Sequence, residues 1–516
     1  MKKDRKTRRR TEEGIALLIA IFVLLLISVV AIALLVSSGT ETALGANYRA
    51  SSTVYYAALA GLEEARGRML PKNPNYFGAA VIPTPFPLGQ TVYVLNRLSG
   101  EVIAPWDPSN NYYDKEYYTE FGTQASSAAY QSVNSVWDNN VQGIPGPLFK
   151  WVRINAVSDA ALHTEINYST GYHPSTAVYF DPAHVDYNGN PWPSMIEGPT
   201  ATAQQVLEIT ALAALPNGSE KYLQYVVAST KLNLGFPAAL TFSGTNIGGY
   251  QPPSLTPPPG GASALSVPTS PSFEIDGNDS SPVATPDGCT PGPTAVSAIG
   301  YSTNAPGDTS QSNIMAAIAT PAPGNPSKYK GIGGTTPNVN YVGPLLAANL
   351  QTVGGLNLIV QTLSQHADAV LDGTVTAVTQ SQLPAWMSAT NPATIVVNGD
   401  LNVTSWHGTG YGVLLVTGQF TYDPDAYWNG IVLVIGKGIM YSSMGGIGQL
   451  NGAVFLARTL DAANNPLPSS SAPGSSTFDF TAGSGSEGLR YSSCWVKYVQ
   501  TPLSYKILAF HEVPQP

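Results

Sequence analysis

The chain has few of the residues on which catalysis and metal binding usually depend. Among its 516 residues there are two cysteines and six histidines, and charged residues make up only 11%. The sequence contains no Gly-x-Ser-x-Gly elbow, no phosphate-binding loop and no zinc signature. These absences predict a protein that is not an enzyme and that has no resident cofactor.

The chain also lacks the excess of basic residues that is typical of nucleic-acid-binding proteins. Lys and Arg number 24 against 33 Asp and Glu, which gives a formal net charge of −9. Residues 1–14 hold seven of the basic and three of the acidic side chains, so the rest of the chain carries −13. Because so acidic a surface repels a phosphate backbone, nucleic acid is not a favoured partner.

One long apolar segment lies close to the N-terminus. Residues 15–36 contain a single polar residue, Ser28, and no charged residue. A helix of this length crosses about 30 Å of hydrocarbon. Seven basic residues precede the segment, which favours a cytoplasmic N-terminus and places the bulk of the chain outside the cytoplasm. We therefore expect a single-pass protein of the inner membrane.

The small residue Gly14 separates the basic leader from the apolar segment. This arrangement resembles the prepilin leader of type IV pilins and of type II secretion pseudopilins. Residues 40–47 and 56–65 are similar to the N-terminal region of PilX-like minor pilins, so the resemblance covers about residues 1–70. A plain uncleaved signal anchor is the alternative interpretation.

The resemblance implies that a prepilin peptidase cleaves after Gly14 and makes Ile15 the new N-terminus. The apolar helix then contacts other pilins or minor pilins in a filament. Most pilins carry a glutamate at the fifth mature position, where this chain has Ile19. PilX-like proteins and the large pseudopilins at filament tips often lack that glutamate, so the resemblance implies a tip or initiating subunit.

The apolar positions that follow the membrane segment recur at helical spacing as far as Pro71, and we expect them to pack on a sheet of the same domain. They are Val54, Ala58, Leu62, Ala65 and Met69. Strand patterns follow over residues 149–157, 203–213 and 222–231. The aromatic residues of 76–140 either fill the core of an irregular domain or form an exposed surface for adhesion or glycan stacking.

Short apolar strands bounded by glycine recur near the C-terminal end of the chain. They cover residues 412–418, 430–436 and 452–458, and residues 394–403 form a fourth. Starts that are 18 and 22 residues apart are typical of parallel β-helices and solenoids. An antiparallel sandwich is the competing topology, although hairpins usually need shorter connections.

The predicted fold class is α+β, predominantly β, with a long N-terminal helix, an antiparallel pilin-like sheet and a C-terminal region similar to a parallel β-helix. The expected divisions are a leader over 1–14, a helix over 15–70 with its transmembrane part over 15–36, a pilin-like β domain over 71–236 with an aromatic-rich insertion, a Pro/Gly-rich linker or loop over 237–272, and a β-rich domain over 273–516 with solenoid-like strands around 394–458.

Two loops carry side chains of types that bind cations. The first contains His173, His184 and Asp186. Its spacing matches no closed zinc site, so no metal is assigned to it. The second contains Asp276, Asn278 and Asp279. These residues offer oxygen ligands to calcium, but the twelve-residue loop with its closing glutamate is missing, and an Asx-turn is the simpler interpretation.

Parallel β-helices often host carbohydrate-active enzymes, and five side chains of the solenoid-like region have the chemistry of an acid, a base or a basic partner. They are Asp400, His407, Asp423, Asp425 and Lys437. Such an enzyme needs these groups to converge on one face. Exposed turn residues account for all five, so no catalytic residue is assigned.

Cys289 and Cys494 are the only cysteines, and both follow the membrane segment. In an oxidising compartment we expect them to form one disulfide. It would close a loop of 205 residues, for which chain entropy gives at most about 5 kcal/mol of stabilisation. Two separate buried thiols are the alternative.

These features favour a non-catalytic minor pilin of the PilX-like type. It would sit in the inner membrane before assembly and on a pilus at the cell surface afterwards, with a β-rich head for adhesion to an unknown ligand. A tip pseudopilin of a type II secretion system is the first alternative, because the same N-terminal segment serves both. A membrane-anchored β-helix enzyme that acts on cell-surface glycans is the second.

Overall fold

The structure is a computed structural model that describes residues 4–514 with gaps, and it describes side chains from Gly14 onward except those of 265–266. The gaps are residues 72, 79, 118–129, 140–145, 163–165, 167–170, 172, 174, 183, 185–192, 201–202, 231–233, 248–264, 267–271, 287, 320–324, 443–445, 462, 481–487 and 501–503. The chain divides into two compact units. Unit 1 comprises Met1–Ser229 and Tyr505–Pro516, and unit 2 comprises Thr230–Ser504.

Unit 1 begins with one long helix, α1, over Asp4–Arg68. The helix ends three residues before Pro71, as predicted, because proline cannot donate the next helical hydrogen bond. Its predicted apolar stripe is buried, with Ala58, Leu62 and Ala65 each 0% exposed. Full burial of one such leucine contributes about 1.5–3 kcal/mol.

The helix packs on the strands of an eight-stranded sheet, which contains the three strands predicted from alternation. The strands are β1 Thr91–Leu95, β2 Tyr130–Asn134, β3 Phe149–Ala156, β4 Val178–Asp181, β5 Ser194–Glu197, β6 Gln204–Ala214, β7 Glu220–Thr230 and β23 Ser504–Val513. Their order is β2-β1-β3-β6-β4-β5, and β7 pairs with β6 and β23. β1 and β2 are parallel, whereas β1–β3, β3–β6, β6–β7, β4–β5 and β4–β6 are antiparallel.

A glycine sets how closely the helix approaches this sheet. A Cβ atom at Gly61 would lie 2.9 Å from side-chain atoms of both Phe149 and Val152 on β3. Leu62, next to it in the chain, belongs to the same buried cluster as Phe149 and Ile209. The small side chain is therefore required for the helix to seat on the strands.

Unit 2 contains three helices and fifteen strands among its described residues. The helices are α2 Ser310–Ala319, α3 Val353–His366 and α4 Ser493–Val499. The strands are β8 Ala238–Ser243, β9 Leu265–Ser266, β10 Glu274–Asp276, β11 Ser297–Tyr301, β12 Tyr329–Lys330, β13 Val339–Tyr341, β14 Ala369–Thr379, β15 Ala393–Asn402, β16 Thr409–Val416, β17 Gln419–Tyr422, β18 Tyr427–Gly436, β19 Ile439–Ser442, β20 Gln449–Arg458, β21 Thr477–Asp479 and β22 Gly488–Tyr491.

The strands of unit 2 form one sheet whose registered pairs are all parallel, so the antiparallel sandwich was the wrong alternative. One ladder runs β15-β16-β18-β20-β8 and contains the four strands predicted from the glycine-bounded repeats. A second ladder, β17-β19-β21, was not predicted. Apolar side chains continue from strand to strand in both, as in the column of Phe420, Met440 and Phe478.

Glycines stand in register across the first ladder, at Gly412, Gly430 and Gly452. Each has a positive φ, which is +137° at Gly430, and a Cβ there would lie 2.1 Å from the carbonyl oxygen of Gly412. Only glycine combines this backbone conformation with so close an approach of neighbouring strands. The repeated glycine therefore belongs to the ladder itself and not to its turns.

The strands differ from the predicted divisions at two places. Residues 237–272 were predicted to be a linker or loop, but β8 lies at their start and all six of its residues are buried. Its apolar sequence pairs with β20 and β11, which local proline content could not reveal. Residues 273–516 were predicted to be one domain, but β23 pairs with β7 of unit 1.

Candidate functional site

The N-terminal part of α1 is an exposed apolar surface. The described residues include one helix apolar enough to cross a membrane, Gly14–Arg68. Its most apolar 18 residues have a mean hydropathy of 3.4 and are 0% buried. Ile15 and Ile19 are 61% and 56% exposed. The single polar residue of the segment, Ser28, donates its hydroxyl hydrogen to the carbonyl oxygen of Leu24 at 2.8 Å, so its side chain is satisfied within the helix.

The C-terminal end of α1 carries charged side chains that bind it to other residues of unit 1. Glu64 accepts hydrogen bonds from Arg68 (2.9 Å), from the hydroxyl of Ser135 (2.7 Å) and from the backbone amide of Val136 (3.0 Å). Its side chain is 7% exposed. Glu64 therefore positions α1 against the residues that follow β2. The charged residues of the helix sequence do not reveal this contact.

A group of ionisable side chains lies inside unit 1. The guanidinium of Arg153 on β3 is 0% exposed and contacts three carboxylates: Asp114 at 2.9 Å, Glu116 at 2.6 Å and Glu208 at 2.8 Å. Asp114 also accepts a hydrogen bond from the hydroxyl of Tyr93. Burial raises the pKa of the Asp114 carboxyl, and the guanidinium offsets part of that rise.

A second polar group in unit 1 joins Asp159, His173 and Glu197. The His173 Nδ1 atom lies 2.5 Å from Glu197 Oε1 and 3.8 Å from Asp159 Oδ2. The sequence drew attention to His173 but grouped it with His184 and Asp186. Asp186 lies outside the described residues. The neighbours of His173 are Asp159, in the turn after β3, and Glu197, at the end of β5.

The candidate calcium loop is organised by its own hydrogen bonds. Asp276 Oδ1 accepts from the backbone amide of Asn278 at 2.9 Å, which is an Asx-turn. The two carboxylate oxygens of Asp279 accept from the amide of Ser493 (2.8 Å), the hydroxyl of Ser493 (2.6 Å) and the amide of Gly292 (2.7 Å). These contacts hold the loop to the start of α4.

The five acidic and basic candidates of unit 2 fall into two groups. Lys437 Nζ donates to Asp400 Oδ1 at 2.9 Å. His407 Nδ1 lies 3.7 Å from Asp423 and 3.7 Å from Asp425, but its side chain is 69% exposed. The prediction that the chain is not an enzyme remains a prediction.

The aromatic residues of 76–140 mainly fill the interior of unit 1. Tyr93 is 0% exposed and packs edge-on against Trp151, and Trp106 stacks on Tyr130 with ring centroids 4.1 Å apart. Among the described aromatic residues of this stretch, Tyr76 and Trp137 are exposed, at 39% and 36%. The geometry favours the core interpretation over an exposed aromatic surface.

The predicted disulfide is present. Cys289 and Cys494 are joined with their Cα atoms 5.6 Å apart, and Cys494 is fully buried at the start of α4. The bridge lies beside the Asp279–Ser493 hydrogen bonds, so covalent and polar links fasten the same helix to the loop that precedes β11.

Comparisons of the chain with protein-family models, with curated proteins and with solved structures found no match.

Proposed function

We propose that this chain is a non-catalytic minor pilin of the PilX-like type. It enters a filament through the exposed apolar part of α1 and presents a large β-rich head. The observation that carries this proposal is the division of one helix into two parts. The part from Gly14 onward is apolar and unburied, whereas the part from Val54 onward is built into the sheet of unit 1.

This division supports an assembly role because the two halves have different partners. The C-terminal half of α1 contacts other residues of unit 1 through Gly61, Leu62 and Glu64. No described residue covers the N-terminal half, so its apolar side chains need lipid or the helices of other subunits. The inner membrane before assembly and a filament afterwards supply these two environments in turn, with the head outside the cytoplasm.

The finer description of both units is part of the proposal. Unit 1, a long helix on an antiparallel sheet, is pilin-like. In unit 2 consecutive strands alternate between two parallel ladders, since β16, β18 and β20 pair in one and β17, β19 and β21 in the other. A chain that returns to each ladder in turn is the course of a parallel β-helix, and we propose that unit 2 is one.

A position at the tip follows from Ile19. An apolar residue at the fifth mature position removes the carboxylate that would pair with the terminal amine of a neighbouring subunit. Loss of that pair matters least for a subunit that has no neighbour on one side. The head would then project from the filament end and be free to contact a surface ligand.

N-terminal mass spectrometry of the protein isolated from membranes tests the leader. We expect a chain that begins at Ile15, and a Gly14→Leu variant that retains residues 1–14 because the peptidase no longer accepts the site. An Ala16→Leu variant, one residue beyond the junction and equally apolar, serves as the control and should still be cleaved. An intact N-terminus in the wild-type chain would contradict the proposal and leave a signal anchor.

Counting pili in a strain that lacks the protein tests the assembly role. A minor pilin of the initiating complex predicts few or no pili, restored by the wild-type chain but not by the Gly14→Leu variant. Normal pili together with lost protein secretion would indicate a type II secretion pseudopilin instead. Immunogold label spread evenly along the filaments would contradict the tip position.

A further inference from the structure

A carboxylate oxygen inside unit 1 lacks a hydrogen-bond donor. Asp159 is 0% exposed in the turn that follows β3. Its Oδ1 accepts from the backbone amides of Ala160 (2.7 Å) and His173 (2.6 Å), whereas its Oδ2 is buried and accepts no hydrogen bond. Because a carboxylate oxygen buried without a hydrogen-bond donor is strongly disfavoured, its presence in this turn points to a positively charged ligand.

The orphaned oxygen faces two other side chains that bind metals. One ligand atom from each of Asp159, His173 and Glu197 lies within 4.8 Å of the other two. Ligands held about 2.0–2.2 Å from one tetrahedral ion are themselves about 3–4 Å apart. The 3.8 Å between Asp159 Oδ2 and His173 Nδ1 already has this spacing, and an ion needs only to replace the hydrogen bond between His173 and Glu197.

The backbone fixes two of the three side chains. β3 is extended by a bridge between Ser158 and Ala177, which sets the position of Asp159 directly after it. Glu197 ends β5 and pairs with Val178, the first residue of β4. Asp159 and Glu197 therefore stand on adjoining strand ends, and the hydrogen bond from the His173 amide to Asp159 brings the third side chain to them.

The charge of the group favours a divalent cation. It holds two carboxylates, and in the part of the chain that the structure describes neither of them has a lysine or arginine within ion-pair distance. An imidazole nitrogen beside two carboxylate oxygens suits zinc-like ions better than calcium or magnesium, which prefer oxygen ligands alone. The side chains of His173 and Glu197 are 33% and 15% exposed, so an ion has access from solvent.

We propose that Asp159, His173 and Glu197 bind one divalent transition-metal ion of the zinc type through Oδ2, Nδ1 and Oε1. Three protein ligands leave a fourth position of a tetrahedral ion open to water or to a group of a partner. The ion links the ends of β3 and β5 to the intervening loop, and it gives unit 1 a metal-dependent component of stability.

The group of His407, Asp423 and Asp425 in unit 2 is a matched comparison. It has the same ligand types, but His407 is largely exposed and both aspartates accept hydrogen bonds from backbone amides. No oxygen of this group is both buried and without a donor within the described residues. A histidine beside two carboxylates therefore occurs twice among the described residues, once with the orphaned oxygen and once without it.

Equilibrium dialysis of the full-length protein in detergent, stripped with a chelator and then exposed to Zn²⁺, tests the site. We expect one bound Zn²⁺ per wild-type chain and affinity at least about tenfold weaker in Glu197→Gln and His173→Asn. His407→Asn and His184→Asn should bind as the wild type does. Glu197→Gln is the decisive variant because glutamine keeps an oxygen that can accept from His173, which preserves the loop in the absence of metal.

Thermal unfolding supplies a readout that does not depend on dialysis. Zn²⁺ should raise the unfolding temperature of the wild type and of His407→Asn, but not that of Glu197→Gln. The proposal is overturned if the wild type binds no Zn²⁺, if Glu197→Gln binds it as tightly, or if calcium is bound in preference to zinc. Loss of binding in His407→Asn with retention in Glu197→Gln would move the site to unit 2 and equally overturn it.

Discussion

The two units of this chain have different interiors. Unit 1 buries full charges, with Arg153 at 0% exposure among Asp114, Glu116 and Glu208. In unit 2 the described buried residues include Asp423 and Asp479 but no lysine or arginine. One of its interior polar contacts joins neighbouring strands, where Asn451 Nδ2 donates to Asn429 Oδ1 at 3.0 Å.

The difference follows from how each interior is built. In the parallel ladder of unit 2, identical residues pair in register on neighbouring strands, as Asn429 does with Asn451 and Gly430 with Gly452. Like charges in such a column would repel, whereas amides and apolar side chains stack well. An antiparallel sheet covered by a helix and loops has no such repetition, so residues of opposite charge can meet inside it. Unit 1 should therefore be sensitive to charge, and unit 2 to shape.

Arg153→Met is expected to have the largest effect. It leaves three buried carboxylates without their cation, which should lower the free energy of unfolding by about 3–5 kcal/mol. Hydrogen exchange of peptides from β3 and β6, measured by mass spectrometry, reports the loss in unit 1. The control is Glu512→Gln, which weakens the ion pair with Lys221 at a side chain that is 56% exposed and should cost less than about 1 kcal/mol. Equal effects would remove the distinction between buried and surface charge.

Replacement of both cysteines by serine should destabilise unit 2 by about 2–5 kcal/mol, because the bridge closes a loop of 205 residues. Urea unfolding followed by hydrogen exchange in β22 and α4 measures the loss. The wild type treated with a reductant should match the Cys289→Ser/Cys494→Ser variant, and the reductant should leave that variant unchanged. A wild type indifferent to reduction would show that the bridge contributes nothing to unit 2.

Gly430→Ala should lower the free energy of unfolding of unit 2 by about 2–4 kcal/mol. The positive φ is unfavourable for alanine, and its Cβ collides with the carbonyl oxygen of Gly412. Gly235→Ala is the control, since nothing lies within 4 Å of its Cβ position and its φ is not positive, so its effect should stay within about 0.5 kcal/mol. Both variants are compared by urea unfolding. A Gly430→Ala chain as stable as the wild type would mean that the ladder tolerates a wider spacing.

The smallest expected effect is a dependence of the stability of unit 1 on pH. Burial raises the folded-state pKa of Asp114 above its usual value near 3.9, so the stability it contributes is fully present below that value and is lost as pH rises through the folded pKa. The stability gap between the wild type and Asp114→Asn should therefore narrow from about pH 4 to about pH 7. Urea unfolding at several pH values measures this gap.

Asp138 provides the opposite case for the same experiment. Burial opposes its ionisation, but hydrogen bonds from Arg97 outweigh burial and hold the pKa of Asp138 below its usual value. Its contribution is present above the unfolded pKa and is lost as pH falls through the folded pKa. The gap between the wild type and Asp138→Asn should therefore widen as pH rises. Gaps that move in the same direction for both variants would contradict this assignment.

Much of the fold could be read from local patterns. The apolar run, the helical stripe that ends before Pro71 and the glycine-bounded strands of the first ladder all repeat at short periods, which is what a sequence displays. The second ladder was not predicted from the sequence because β17, β19 and β21 have only three or four residues each. Segments so short carry too few alternations to stand out from turns.

The candidate site residues divide in the same way. The pairing of Cys289 with Cys494 was predictable because no other cysteine exists. The partners of His173 were not, because Asp159 and Glu197 lie 14 and 24 residues away on either side of it. Residues at similar separations, such as His184, offered an equally plausible set.

The sequence by itself determined that this chain has one exposed apolar helix, β-rich units beyond it and one disulfide. The helix and the strands follow from the local period of apolar residues, and the disulfide follows because the chain has only two cysteines. Only the tertiary structure decided which carboxylates surround Arg153 and which oxygen of Asp159 is left without a donor. These depend on side chains that meet across strands from 39 to 55 residues apart, as Arg153 meets Asp114 and Glu208. Burial and strand register decide these contacts, and neither can be predicted from the sequence of a single strand.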